Sequence, residues 1–117
     1  MGPVPREVRV YQDRARRRPF EAWLERLKDA KTRAIIRERI ARLMLGNTGD
    51  TKPVGEGVLE LRVDFGPGYR VYYAQDGKRI VVLLCGGDKR SQASDIRNAK
   101  EYWKDYRRLT RNAERIS

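Results

Sequence analysis

The chain has 117 residues, a length that suits one domain able to support its own hydrophobic core. Its 27 lysine and arginine residues outnumber its 16 aspartate and glutamate residues, which gives a formal net charge of +11. This excess favours a polyanionic partner, either RNA, DNA or an acidic protein, over a basic surface with no partner. Because histidine is absent, the composition excludes a histidine base and a histidine-ligated metal. We expect no metal and no cofactor.

A single cysteine, Cys85, excludes an internal disulfide and fits a reducing cytoplasm. We expect this thiol to fill the core and not to act as a nucleophile. No stretch approaches the roughly 20 apolar residues that span a bilayer, and the opening residues lack the apolar run of a secretory signal. The sequence therefore predicts a cytoplasmic protein without a membrane partner.

The first half of the chain predicts one strand and two helices. Residues 8–11, "VRVY", alternate as a short strand does. In "PFEAWLERLKD" the apolar residues recur at helical spacing, with Pro19 in the first turn. A second helix is predicted over 31–45, ended by Gly46 in a left-handed cap. Residues 46–57, with four glycines and a proline, are predicted to form a loop.

The second half predicts three strands and a final helix. The strands cover about 58–64, 69–75 and 79–86, separated by the turn signals "GPG" and "DG". The helix covers about 91–109, and residues 110–117 are expected to be a frayed tail beyond a core of 8–109. The order β-α-α-β-β-β-α predicts a single α+β domain. Its helices should cover one face of a mostly antiparallel four-stranded sheet.

Arginines occupy interior positions of two neighbouring predicted strands. Side chains alternate across a strand, so Arg62 in "VLELRV", and Arg70 and Tyr72 in "YRVYY", should share the face opposite the aliphatic residues. If helices cover the aliphatic face, these three side chains project from the open one. A sheet holds cations in fixed positions around a phosphate. The alternative is that the arginines only pair with Glu60 across the strands.

More cations are predicted near the same face. In "LLCGGDKRSQ" two glycines are expected to break the last strand before a charged turn reaches a helix N-terminus, which is a weak anion site. Lys52, in the preceding loop, should reach the same face. The residues expected to converge there are Lys52, Arg62, Arg70 and Lys89, with Arg90 and Gln92 close by.

Three pieces of the chain resemble the RelE/ParE superfamily of type II toxins. They are "PFEAWLERLKD", "RIARLMLGNTGDTKPVGEGVLELRVDFGPGYRVYY" and "VVLLCGGDKRSQASDIRNAKEYW", and the resemblance covers about residues 8–104. The chain is most similar to the phage-derived addiction-module killer proteins, near the HigB-type toxins. The resemblance implies a RelE-like fold, an antitoxin partner and, in many members, cleavage of mRNA in the ribosomal A site.

By position, Arg70 in "GPGYRVYY" matches the best-placed arginine of the family, and Arg62 matches a basic position on the preceding strand. Lys89 or Arg90 matches a basic residue after the last strand. Some members carry a tyrosine or histidine acid–base group on the final helix, where this chain has Ile96 or Arg97. The phenols expected nearby are Tyr72, Tyr102 and Tyr106.

These observations lead to the hypothesis of a metal-independent mRNA endoribonuclease that inhibits translation. The expected catalytic residues are Arg70, Arg62, Lys89 and Tyr72, and the expected RNA-binding residues are Lys52, Arg90 and Gln92. The proton acceptor is either a lysine with a lowered pKa or a tyrosine. The expected partners are mRNA, the ribosome and a small helix-turn-helix antitoxin with an acidic surface. The alternatives are a ParE-like inhibitor of DNA gyrase and a non-catalytic RNA- or ribosome-binding module.

Overall fold

A computed structural model describes residues 6–116 of the chain, with side chains described for residues 6–113. The elements follow the order β-α-α-β-β-β-β-α. They are β1 (Glu7–Val10), α1 (Pro19–Arg26), α2 (Ala30–Met44), β2 (Thr51–Gly55), β3 (Val58–Val63), β4 (Tyr69–Asp76), β5 (Ile80–Gly87) and α3 (Gln92–Ile116). The predicted α+β class is confirmed.

The five strands form one sheet in the order β1-β5-β4-β3-β2. Strands β2 to β5 pair with their chain neighbours in antiparallel fashion, and β1 lies parallel to β5 at the edge. The expectation of a mostly antiparallel sheet is confirmed, and the expected number of four strands is wrong.

The additional strand, β2, lies inside the segment that was predicted to be a loop. Thr51 and Lys52 pair with Leu61 and Glu60 of β3. Because β2 is an edge strand, it tolerates Pro53, which cannot donate a backbone hydrogen bond. The residues of the next turn, 55–57, all have positive φ, so a very tight connection leads into β3. Because the glycines and proline of this segment are typical of a loop, the sequence pattern did not indicate this strand.

Helices cover both faces of the sheet, so the expectation of one open face is also wrong. On one face, α1 and α2 pack on side chains of β3, β4 and β5; this core comprises Phe20, Leu24, Ile36, Ile40, Leu43, Leu61, Val63, Val71, Tyr73, Val81 and Leu83. On the other face, Ala99 and Trp103 of α3 pack over a second core that includes Tyr72, Val82 and Leu84. The continuous apolar run of β5 is typical of a strand that is buried on both faces.

Helix α3 begins close to its expected start and continues to Ile116, beyond the expected end near residue 109. Neither glycine nor proline occurs between residues 92 and 116, so nothing in this segment interrupts helical hydrogen bonding. At the end of α2, Gly46 adopts φ +88°, which confirms the predicted left-handed cap.

The two glycines of "CGGD" do not break β5, which runs through Gly87. A Cβ atom at Gly86 would overlap the ring of Trp23, and a Cβ atom at Gly87 would overlap the carboxylate of Asp95. These glycines therefore let α1 and α3 approach the end of β5 closely from opposite faces. The same sequence signal that suggested a strand end marks a point of close packing.

We predict that Gly86→Ala destabilises the protein by about 1–3 kcal/mol, because the methyl group overpacks against Trp23. The free energy of unfolding measured in urea checks this. Gly86→Ala should cost clearly less in a Trp23→Ala background, where the methyl group has space. Purely additive losses in the double variant would contradict the proposed contact.

Candidate functional site

The two strand arginines lie side by side on the face of the sheet that α3 covers. In the β3–β4 ladder Arg62 is directly opposite Arg70, and Glu60 is directly opposite Tyr72. The predicted alternation is confirmed, since the neighbouring aliphatic residues face α1 and α2. The register therefore brings both arginines next to one carboxylate.

Glu60 is the centre of this arrangement, and it is fully buried. Its Oε1 atom lies 3.5 Å from Nε of Arg70 and 3.6 Å from Nε of Arg62. Its Oε2 atom accepts hydrogen bonds from the Tyr72 hydroxyl at 3.1 Å and from Nε2 of Gln92 at 2.9 Å. One buried carboxylate thus joins β3, β4 and the start of α3, and it holds two guanidinium groups in place.

The arginines also line a cleft of about 360 Å³ at the end of the β3–β4 hairpin, next to the 66–68 turn. The side chain of Arg70 is 10% exposed and that of Arg62 is 41% exposed, so Arg70 forms the base and Arg62 the more open wall. Lys89 lines the same cleft. Two arginines and a lysine around one small cleft can bind a phosphate group.

The other predicted cations do not line this cleft. Lys52 is exposed on β2, in register with Glu60. Arg90 is almost fully exposed and pairs with Asp88. The amide of Gln92 donates a hydrogen bond to Glu60, so this residue acts on the arginines through the carboxylate that lies between them. Of the four cations expected to converge, the structure brings together Arg62, Arg70 and Lys89.

The predicted phenols also lie outside the cleft. Tyr72 is fully buried under α3. Burial raises the pKa of its hydroxyl, and the nearby Glu60 carboxylate raises it further. Tyr102 stacks on Tyr11, and the Tyr106 hydroxyl donates to Asp76. An un-ionised, buried tyrosine is a poor proton acceptor, so the geometry favours a positioning role for Tyr72.

Three polar side chains that line the cleft were not among the predicted site residues. Tyr69 brings a phenol to the cleft, and Asp50 and Asp64 bring carboxylates. Asp64 follows Arg62 by two positions, so the strand alternation could have indicated it. Asp50 lies beside Arg62, whose backbone N–H donates to its carbonyl. This neighbour could not be identified without β2.

Cys85 lies in the core beneath α3, as expected, and burial raises the pKa of its thiol to about 12. Among residues 6–113, no three histidine, cysteine, aspartate or glutamate side chains are grouped closely enough to hold a metal ion. None of the described helices combines the length and the apolar composition needed to cross a bilayer.

These observations define an α+β domain in which a buried glutamate lies between two arginines at a cleft that Lys89 also lines. Residues 22–105 match the family model described as "Phage derived protein Gp49-like". The chain belongs to this family, which is a RelE-like toxin family of toxin–antitoxin systems. The family therefore implies an antitoxin partner.

An uncharacterized protein of Haemophilus influenzae is 51% identical to this chain over 81 residues. The aligned region covers 69% of this chain and 82% of that protein. The family match of residues 22–105 spans α2, β2 to β5 and the first part of α3.

We predict that Tyr72→Phe destabilises the protein by about 2 kcal/mol, because the buried Glu60 carboxylate loses one of its two strong donors. Thermal and urea unfolding check this prediction. Tyr73→Phe is the matched control: its ring is equally buried, and its hydroxyl makes only a 3.4 Å bond to the neutral Thr51 hydroxyl. Equal losses in the two variants would show that Glu60 does not depend on Tyr72.

Proposed function

We propose that this chain is the toxin of a type II toxin–antitoxin module, near the HigB type, and that it is a metal-independent endoribonuclease that cleaves mRNA on the ribosome. The observation that carries the proposal is the pair of adjacent arginines, Arg62 and Arg70, held by buried Glu60 at a cleft that also contains Lys89. Family membership supports the toxin assignment. The cleft supports the RNA-cleaving chemistry.

In the proposed reaction the 2′-hydroxyl of the RNA attacks the adjacent phosphorus, and the bond from phosphorus to the 5′-oxygen breaks. The products are a 2′,3′-cyclic phosphate and a 5′-hydroxyl. The phosphorane between them carries extra negative charge, which Arg70 and Arg62 stabilise from fixed positions. Removing one well-aligned charged donor from such a site costs about 3 kcal/mol, or roughly a hundredfold in rate.

Two proton transfers accompany this reaction. A carboxylate accepts protons, and Asp50 and Asp64 are the carboxylates that line the cleft. Lys89 or Tyr69 is placed to donate a proton to the leaving 5′-oxygen. This assignment replaces Tyr72, whose burial and hydrogen bond to Glu60 suit it to positioning.

The remaining predicted residues have supporting roles in this proposal. Lys52 and Arg90 are exposed at the margin and are available to flanking phosphates of a bound strand. Gln92, in the first turn of α3, donates a hydrogen bond that helps to fix the position of the Glu60 carboxylate. A net charge of +11 favours a small helix-turn-helix antitoxin with an acidic contact surface, through faster and more specific association.

We predict that Arg70→Ala lowers the rate of mRNA cleavage about a hundredfold, because the phosphorane loses its most rigidly held cation. Arg62→Ala should have a similar or smaller effect, since its side chain is more exposed. Mapping of mRNA 5′ ends after induced expression, with and without the antitoxin, measures the rate and the product ends.

Arg26→Ala is the control for these variants, because this arginine is exposed on α1, outside the residues that line the cleft. Normal cleavage by the Arg70→Ala protein would remove the central residue from the scheme. Inhibition of gyrase supercoiling without any RNA cleavage would instead support the ParE-like alternative. RNA binding without 2′,3′-cyclic ends would support a non-catalytic module.

We predict that Glu60→Gln lowers kcat at least about tenfold while leaving RNA affinity unchanged or tighter. The amide preserves the side-chain shape but removes the charge that aligns Arg62 and Arg70, and the cleft becomes more positive. Single-turnover cleavage and equilibrium RNA binding measure the two quantities separately. Arg70→Ala should lower both kcat and RNA affinity. If Glu60→Gln also lost affinity in parallel with kcat, a positioning role for Glu60 would be contradicted.

A further inference from the structure

A second basic surface lies on the C-terminal half of α3, away from the Arg62–Arg70 cleft. Its cations are Lys104, Arg107, Arg108 and Arg111, which recur at positions i, i+3, i+4 and i+7 and therefore share one side of the helix. Together with Asn112 they line a hollow of about 310 Å³. Among the side chains described, residues 6–113, no carboxylate and no apolar side chain lines this hollow. We call this set of five residues the α3 basic hollow.

The charges of this hollow are largely uncompensated. Arg107, Arg108 and Arg111 are exposed and form no ion pair with any carboxylate among the described side chains. Lys104 makes two long contacts, at 3.7 Å to Glu56 and 3.6 Å to Glu101. Arg107 is held in place because its guanidinium lies 5.7 Å from the centre of the Trp103 ring. Self-repulsion of grouped cations is unfavourable unless an anion binds.

The hollow is separate from the proposed catalytic cleft. Gln92, at the start of α3, contacts Glu60 beneath that cleft. A helical rise of about 1.5 Å per residue places Lys104 roughly 18 Å and Arg111 roughly 28 Å further along the helix axis. The cations themselves span about 10 Å, which suits two or three successive backbone phosphates and exceeds a single anion.

We propose that the α3 basic hollow binds the sugar–phosphate backbone of structured RNA, independently of the catalytic cleft. A basic stripe along one helix is the electrostatic footprint of a nucleic-acid surface, and arginine matches phosphate geometry with two parallel donors. An acidic protein segment is the competing ligand, but protein interfaces contain an apolar centre, and none of the described side chains that line this hollow is apolar. The surface binds by backbone charge and not by base sequence.

The test uses the full chain with Arg70→Ala, which should slow cleavage of the probe about a hundredfold, and a fluorescent RNA hairpin with a duplex stem. In this background we expect the triple variant Arg107→Gln, Arg108→Gln and Arg111→Gln to bind the hairpin at least about tenfold more weakly. We expect the slope of log affinity against log salt concentration to fall by about 2 to 3, near 0.9 for each lost phosphate contact.

The matched control is Arg26→Gln, Lys31→Gln and Arg37→Gln, which removes the same charge from exposed positions on α1 and α2. Its affinity should stay within about threefold of the parent, with nearly the same slope. Equal losses in the two triple variants would overturn the proposal, because only net charge would then matter. Unchanged RNA affinity in the α3 variant, combined with weaker antitoxin binding, would assign the hollow to a protein partner.

Two further variants keep the test decisive if the triple variant folds poorly. Arg108→Gln alone leaves the Arg107–Trp103 contact intact and should reduce the salt slope by about 1. Arg107→Lys, Arg108→Lys and Arg111→Lys together keep the charge and should retain most of the slope. Because the assay measures equilibrium binding and not cleavage, failure of the proposed nuclease activity would not affect its outcome.

Discussion

The site depends on one buried carboxylate. Burying an ionised group is expensive unless it is paired and hydrogen-bonded. Glu60 lies within ion-pair distance of two arginines through Oε1, which accepts no hydrogen bond, and its Oε2 accepts hydrogen bonds from Tyr72 and Gln92. Such buried ion clusters stabilise a fold little more than apolar packing would, and often less. The value of this one lies in geometry, since it keeps two cations together that would otherwise repel each other.

The placement of α3 explains why this cluster can exist. If the Arg62 face of the sheet were open to water, Glu60 and the arginines would be screened and mobile. Helix α3 covers this face with Ala99 and Trp103 and contributes Gln92 to Glu60, while the cleft stays accessible at the edge. The same helix that excludes water from the carboxylate therefore leaves the cleft beside the arginines open.

The sequence was informative where a residue pattern has one structural meaning. Strand alternation correctly placed Arg62, Arg70 and Tyr72 on one face, and helical spacing identified the buried residues of α1 and α2. It could not show that a helix covers that face, because burial of Tyr72 depends on tertiary packing. It also missed β2, whose glycines and proline resemble a loop, and with β2 the position of Asp50. The glycine pair of β5 was wrongly taken as the end of the strand, because glycine occurs where elements pack closely as well as at strand ends.

The parallel pairing of β1 with β5 has a consequence for biosynthesis. Glu7–Val10 must wait for Ile80–Gly87 before it gains a partner strand, and Glu60 must wait for Gln92. Contacts between such distant parts of a chain form late, and a chain made from its N-terminus cannot complete them early. The carboxylate that contacts both arginines therefore gains its last hydrogen-bond donor only after residue 92 has been made, late in the synthesis of the chain.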